Sequence, residues 1–428
     1  GNIFNSKKTE TTTETTTESS PPPASEAMAV APEAPRDVTM PPIYPPSQGR
    51  QPQPQAGLLT GGDYDDLLNP ELYANYASNF LQETGARDLP FVDTREKIEI
   101  RVQDQRGRPV PFARISIPRV QGSNLSLVTA ATGKAVIFPR FDRIAPNARI
   151  SIHSGTQNTT ARMGNGDKVT VRMPGNGSRV QAADIVIALD TTGSMGDEID
   201  YLESELADIM SRMRSEAGQI DLRIGLVVYR DEGDEYVVKK YNFSRDIGAM
   251  QATLAEQYAG GGGDTPEAMD QAMQSVEEFQ WRPNAAKAVL LVADAPPHQQ
   301  NVNRTLQSTE RLRRQGVQIV PVAASGVDPM AEYAMRTMAL MTQGRYIFIT
   351  DDSGIGNPHA EPQVDCYVVT SLNDLIARVL SGIVRGERIE PGQGEIIRSV
   401  GSYNRGRCSI ERQDYPQLTS KPLPVWES

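Results

Sequence analysis

The stretches Ile185-Val186-Ile187-Ala188-Leu189 and Ala288-Val289-Leu290-Leu291-Val292-Ala293 are apolar at every position. Successive side chains of a strand point to opposite faces, so a run without polar alternation is satisfied only in a sheet covered on both sides. After the first run the apolar period changes to three and four. Ile199, Leu202, Leu206, Ile209 and Met213 then share one helical face, as do Met269, Met273, Val276 and Phe279 further on. A methionine stripe of that kind reads as core. Strands are also expected over 223–229, over 236–243 at an edge, and over 317–323 and 345–350. A helix over 372–384 carries Leu375, Ile376, Val379 and Ile383. Buried strands alternating with helices are the pattern of a doubly wound α/β fold with a mostly parallel sheet.

In such a sheet, loops at the carboxyl ends of the strands converge on a crevice where ligands bind. Three polar segments fall there. Asp190-Thr191-Thr192-Gly193-Ser194 comes after the first run, Asp264-Thr265-Pro266 comes after Gly260 to Gly263, and Asp294 ends the second run. A hard cation such as Mg²⁺ prefers oxygen ligands, and alternate residues 190, 192 and 194 can point to one centre. Capping is the competing explanation, since Asp, Ser and Thr before a helix accept bonds from its first amides. Thr265 suits that role, with Pro266 at the first helical position.

Together these segments resemble the von Willebrand factor A domain and its metal-ion-dependent adhesion site, whose pattern is D-x-[ST]-x-S, a distant Thr and a distant Asp. The resemblance covers residues 180–385 and implies a Rossmann-like fold. It implies that Thr192 and Ser194 bind the metal through hydroxyls and that Thr265 is a ligand able to engage or release. Asp190 and Asp294 then act directly or through water, and the bound protein's carboxylate or a water fills the remaining position. The implied cofactor is Mg²⁺, with Mn²⁺ or Ca²⁺ as alternatives. Asp264 and Asp231, the latter within Tyr229-Arg230-Asp231, are candidates for the second shell. His298 reads as a free surface histidine, because an imidazole is a poor match to an oxygen-ligated Mg²⁺.

Four further segments surround this domain. Residues 1–56 are rich in Thr, Glu, Pro, Ser and Gln and lack the apolar surface to offset ordering entropy, so a disordered tether is expected. Its reach as a flexible coil is on the order of 40 Å. Residues 57–94 read as a connecting segment with a helix from Pro70 to about Leu81, packing on a neighbouring domain. From Ile98 the apolar period becomes two, and short strands at 98–102, 112–117, 125–129, 135–138, 149–153 and 168–173 suggest a small all-β sandwich over 95–178. Its turns, Gln105 to Pro109 and Thr132-Gly133-Lys134, resemble those of carboxypeptidase-regulatory-like, transthyretin-like sandwiches, which implies a spacer or contact role. Residues 386–428 form an extension with a strand expected over 395–400. That strand either returns to the β-sandwich or belongs to a loose tail.

A net charge of −11 excludes nucleic acid as the main partner, since phosphate backbones need a basic surface. Arg311, Arg313 and Arg314 are the one compact basic cluster and read as a solvated helix face. No apolar run reaches the ~18 residues of a membrane span. Cys366 and Cys408 are the two cysteines; they are open to a disulfide in an oxidising compartment or to two buried thiols. A chain beginning at Gly1 reads as processed or trimmed. Its polar start resembles the segment after the lipid-modified cysteine of bacterial lipoproteins, implying an anchor upstream of Gly1; a secreted chain fits as well. There is no P-loop, dinucleotide fingerprint or G-x-S-x-G elbow. The expected function is a non-enzymatic, metal-dependent protein-binding module at the bacterial periplasm or cell surface, grasping an acidic side chain of another protein. The alternatives are an accessory subunit of an ATPase-driven or envelope assembly machine and, further off, a metal-dependent hydrolase.

Overall fold

The computed structural model describes residues 52–84, 88–175, 177–216, 219–262, 267–325 and 327–409. The expected tether up to residue 51 and the extension beyond 409 lie outside them. The first elements in chain order are β1 (Thr60–Tyr64), α1 (Pro70–Glu83), β2 (Ile98–Gln103), β3 (Arg114–Ile117), β4 (Leu125–Val128), β5 (Lys134–Ile137), β6 (Arg149–Ser154), β7 (Gln157–Arg162) and β8 (Lys168–Arg172). Then come β9 (Ala182–Asp190), α2 (Ile199–Glu216), β10 (Asp221–Tyr229), β11 (Val238–Ser244), α3 (Ile247–Ala255), α4 (Met269–Glu277), β12 (Ala286–Ala293), α5 (Val302–Arg314) and β13 (Val317–Ala323). The chain closes with α6 (Pro329–Met341), β14 (Tyr346–Thr350), β15 (Tyr367–Ser371), α7 (Leu372–Arg385), β16 (Arg398–Val400) and a two-residue hairpin of β17 (Tyr403–Asn404) and β18 (Arg407–Cys408).

A nine-stranded sheet in the order β11-β10-β9-β12-β13-β14-β1-β15-β16 forms the centre. β10, β9, β12, β13 and β14 run parallel, and β11 closes one edge antiparallel to β10, as expected of an edge strand. The all-apolar runs explain the layering. Val186 and Ala188 face α4, α5 and α6 through Met273, Leu306 and Met338, while Ile185, Ile187 and Leu189 face α2, α3 and α7 through Leu202, Met250 and Leu380. Each fully buried Val, Ile, Leu or Met among them contributes about 1.5–3 kcal/mol relative to exposure. Every position of the expected helical stripe from Ile199 to Met213 is buried.

The connecting segment does more than pack. β1 inserts into the sheet, antiparallel to both β14 and β15. Its Thr-Gly-Gly-Asp-Tyr sequence shows no strand period, because the slot leaves no room for side chains at 61 and 62. A Cβ on Gly61 would lie 2.8 Å from the Phe348 carbonyl oxygen, and one on Gly62 would lie 2.8 Å from the Phe348 ring. The strand expected over 395–400 also joins this sheet and not the β-sandwich. β16 pairs with β15, Tyr367 opposite Val400, and a Cys366–Cys408 disulfide fastens the following hairpin. Asn69 grips the same hairpin, donating to the Gly406 carbonyl and accepting from the Cys408 amide, both at 2.9 Å.

Between α1 and β9 two small sheets, β5-β2-β8 and β4-β3-β6-β7, enclose one core of Ile100, Val102, Ile115, Ile117, Ile137, Ile150 and Val171. β7 is an element the sequence conceals, being polar except for Ala161, with one face exposed and the other, Thr159 and Ala161, only half-buried. The basic cluster on α5 is a solvated face only in part: Arg311 is exposed and Arg314 half-buried, but Arg313 is not. Arg313 is buried and donates to both Asp142 oxygens, at 2.7 and 2.9 Å, and to the Val136 carbonyl, so it joins α5 to the small sheets. The reason is tertiary: Asp142 lies 171 positions away in sequence.

Candidate functional site

Asp190 is the last residue of β9, and Asp294 follows the last residue of β12, the adjacent parallel strand. Both carboxylates therefore emerge at one edge, and both are buried, Asp190 fully and Asp294 to 4% exposure. Asp190 Oδ1 accepts from the Thr192 amide at 2.9 Å and from the Thr192 hydroxyl at 2.6 Å. Thr192 Oγ1 and Ser194 Oγ share a bond of 3.1 Å. Thr192 stands before the single helical turn Gly193–Asp197 and does not cap it with its side chain, while α2 begins only at Ile199. Capping therefore does not account for the hydroxyls at 192 and 194.

Among the described residues no donor serves Asp190 Oδ2 or Asp294 Oδ1, although both atoms are buried. The two carboxylates face each other, and Asp294 faces Ser194 as well. Burial raises both carboxyls above the ordinary carboxylate range, Asp294 to about 8, and for Asp294 the charge of Asp190 adds to the push. Two anions desolvated side by side require a proton or a cation between them.

The next loop is braced by Tyr229-Arg230-Asp231. Arg230, buried, donates to the Thr191 carbonyl at 3.1 Å and the Tyr258 carbonyl at 2.8 Å, and its guanidinium stacks over the Tyr236 and Tyr258 rings. It thereby couples the Thr191 backbone to the glycine loop that begins at Gly260. The Gly193 amide donates to the Gly261 carbonyl, and the Gly262 amide donates to Asp234. Asp264 and Thr265 lie outside the described residues, between Gly262 and Glu267. Glu267 forms a bridge with Pro297, and the described part of the following helix, α4, begins at Met269 after Ala268. His298 is not free, because its Nε2 lies 2.9 Å from Asp231 Oδ1. Tertiary closure of the loop after β12 onto the loop after β10 makes that pair.

Two groups at this edge carry no signal in the sequence. Glu267 is 1% exposed with Oε2 unserved, and no spacing rule marks it. His359 is held between Glu198 and Asp351, its Nε2 at 2.8 Å from one and its Nδ1 at 2.7 Å from the other. Among the described residues no three His, Cys, Asp or Glu side chains form a ready-made cage for a metal. What converges is two carboxylates and two hydroxyls. That donor set, with two unserved buried oxygens, fits a hard divalent cation and not a soft one.

Alpha-protein kinase vwkA of Dictyostelium discoideum is 29% identical over 119 residues, which are 28% of this chain and 19% of that protein. The chain thus spans less than two thirds of that relative. Among solved structures, the conserved hypothetical protein BatB from Bacteroides thetaiotaomicron is similar at 12% identity and a TM-score of 0.33, covering 47% of this chain and 99% of that one. The pilus adhesin SpaC from Lactobacillus rhamnosus GG, in its open conformation, is similar at 10% identity and a TM-score of 0.34, covering 56% of this chain and 31% of that one. Residues 184–359 match the family model of the von Willebrand factor type A domain. The sheet from β9 to β14, with Asp190, Thr192, Ser194 and Asp294 at its carboxyl edge, is therefore a von Willebrand factor type A domain, set in a longer chain that adds β1, β15 and β16 to it.

Proposed function

We propose that this chain is a non-enzymatic protein-binding module in which Asp190, Thr192, Ser194, Asp294 and Thr265 hold a Mg²⁺ ion, and that a carboxylate of a partner protein completes the coordination. The observation that carries the reading is the pair of buried carboxylate oxygens, Asp190 Oδ2 and Asp294 Oδ1, that no donor among the described residues serves. A cation there neutralises both, and it reverses the local sign so that an acidic chain attracts an acidic group. Mn²⁺ or Ca²⁺ is compatible with the same oxygens. Asp231 and Asp264 shape the field around the metal.

The Cys366–Cys408 disulfide supports an oxidising, extracytoplasmic compartment, and the composition of residues 1–56 supports tethering at a cell envelope, with a lipid anchor as its means. Calorimetric titration of the full chain with MgCl₂ tests the reading. Saturable binding is expected in the wild type and none in Asp190→Ala. A wild type that binds no divalent cation at millimolar concentration overturns it. Partner capture from native envelopes is expected with Mg²⁺ and not with EDTA.

A further inference from the structure

We propose that Glu267 is an outer-sphere carboxylate of this site, placed to accept a hydrogen bond from a water on the bound divalent cation, and that its charge sets the affinity for that cation. The inference rests on the metal-binding reading above and adds a residue that the adhesion-site pattern does not contain.

Three observations place Glu267 there. Its backbone is tied to the loop that carries Asp294, its amide donating to the Pro296 carbonyl at 3.0 Å, with Pro297 opposite it in a bridge. The next amide, of Ala268, donates to the Arg230 carbonyl, so the segment is fixed from both sides of the crevice. A Cβ added to Gly262 would lie 3.2 Å from Thr192 Cβ and 3.3 Å from Glu267 Oε1, which puts the carboxylate and the Thr192 side chain against the same glycine. Gly262 itself has φ +75°, so a side chain is doubly excluded there and the approach stays open.

The electrostatics agree with that placement. Glu267 is buried, and its Oε2 has no partner among the described residues. Asp190, Asp294 and Glu267 also all act on the buried Tyr229 hydroxyl, which finds no partner among the described residues. Three acids thus share one wall, each with an unserved oxygen, and no cation among the described residues bonds Asp190 Oδ2, Asp294 Oδ1 or Glu267 Oε2. Because the three do not form a closed cage, Glu267 acts through water. Outer-shell carboxylates of this kind orient and strengthen a metal site, and their loss weakens metal binding roughly 10–100-fold.

The test is Glu267→Gln in the full chain, with calorimetry in MgCl₂ and separately in MnCl₂, and with thermal unfolding in EDTA. Gln keeps the shape and removes the charge. The expected result is a Mg²⁺ dissociation constant raised by at least about tenfold, together with a metal-free melting temperature equal to or above that of the wild type. Glu267→Asp, which keeps the charge, is expected to bind metal more tightly than Glu267→Gln. Unchanged metal affinity in Glu267→Gln overturns the proposal while leaving the metal site intact. A metal-free Glu267→Gln that is less stable than the wild type, or that fails to fold, also overturns it, because the carboxylate would then be structural. A wild type that binds no metal sinks the underlying reading instead.

Discussion

Two clusters of buried charge sit on either side of β13 and β14 in the nine-stranded sheet, and they are built on opposite principles. Beside β1, Arg336 is 1% exposed and donates to both Asp66 oxygens at 2.7 and 3.1 Å, to Glu332 at 3.0 Å and to the Gln363 carbonyl at 3.0 Å, with its guanidinium 3.7 Å above the Tyr76 ring. Glu332 also accepts from the Gln363 amide. Burial pushes the Asp66 carboxyl up while Arg336 pulls it down. The two-pronged geometry identifies the pair as ionised. At the carboxyl ends of β9 and β12 the same fold buries Asp190, Asp294 and Glu267 and leaves an oxygen of each unserved. A closed cluster holds the fold together; an open one awaits something from outside.

The largest way to break this contrast is at the closed end. Arg336→Ala leaves Asp66 and Glu332 buried without their cation, and a loss of about 3–5 kcal/mol in urea unfolding is expected, since removing one partner of a buried pair strands the other. Mg²⁺ affinity of whatever remains folded should be unchanged, because the cluster lies on the far side of β13 and β14 from the site. A loss below about 1 kcal/mol, the net worth of an ordinary hydrogen bond, would mean that water replaces the guanidinium and that the cluster is not closed.

The two ends also differ in how far the sequence discloses them. Ile185 to Leu189 and Ala288 to Ala293 announce their strands by being apolar at every position, and the acids that end those runs are placed by the sheet itself, so Asp190 and Asp294 are assignable from order alone. β1 is not, because Gly61 and Gly62 are chosen by the crowding of Phe348 and Tyr367 and carry no period. Arg336 meets Asp66 across 270 positions, and Arg313 meets Asp142 across 171. Such pairs belong to tertiary geometry, which no local pattern encodes. Glu267 is hidden for a related reason: a glutamate before an amphipathic helix is ordinary until the Pro296 loop folds over it.

At the open end a substitution should act with the opposite sign. Asp190→Asn keeps an oxygen to accept from Thr192 and removes one of two facing charges. Above about pH 8, where Asp294 also loses its proton, the metal-free protein is expected to gain on the order of 1 kcal/mol, as relief of like-charge repulsion between desolvated carboxylates implies. In the same variant the rise in melting temperature on adding MgCl₂ should disappear. Destabilisation of the metal-free form would show that the cluster is closed after all, by a proton shared between Asp190 and Asp294.

His359 lies between the two kinds of cluster and gives the smallest effect. It bridges Glu198, at the start of α2, and Asp351, after β14, and both acids accept from the ring only when both nitrogens carry protons. Burial works against the charged ring, but bonds to Glu198 and Asp351 outweigh it, and the pKa stands above the ordinary 6.5. A raised folded pKa means that the stabilisation is fully present below about 6.5, the unfolded value, and is lost as pH rises through the folded one. The loss should be on the order of 1 kcal/mol, the net worth of one hydrogen bond. Asp294, Glu267 and Glu203 are also raised and also destabilise the fold as pH rises, so the wild-type slope alone does not isolate the histidine. Subtracting the stability profile of His359→Gln, measured by urea unfolding from about pH 6 to 9 so as to bracket the ordinary histidine value, removes those shared contributions. The remaining difference should favour the wild type at the acid end and shrink toward alkaline pH. A difference that is flat in pH would mean that His359 holds a single proton throughout, bonding one acid as a donor and meeting the other without a hydrogen between them.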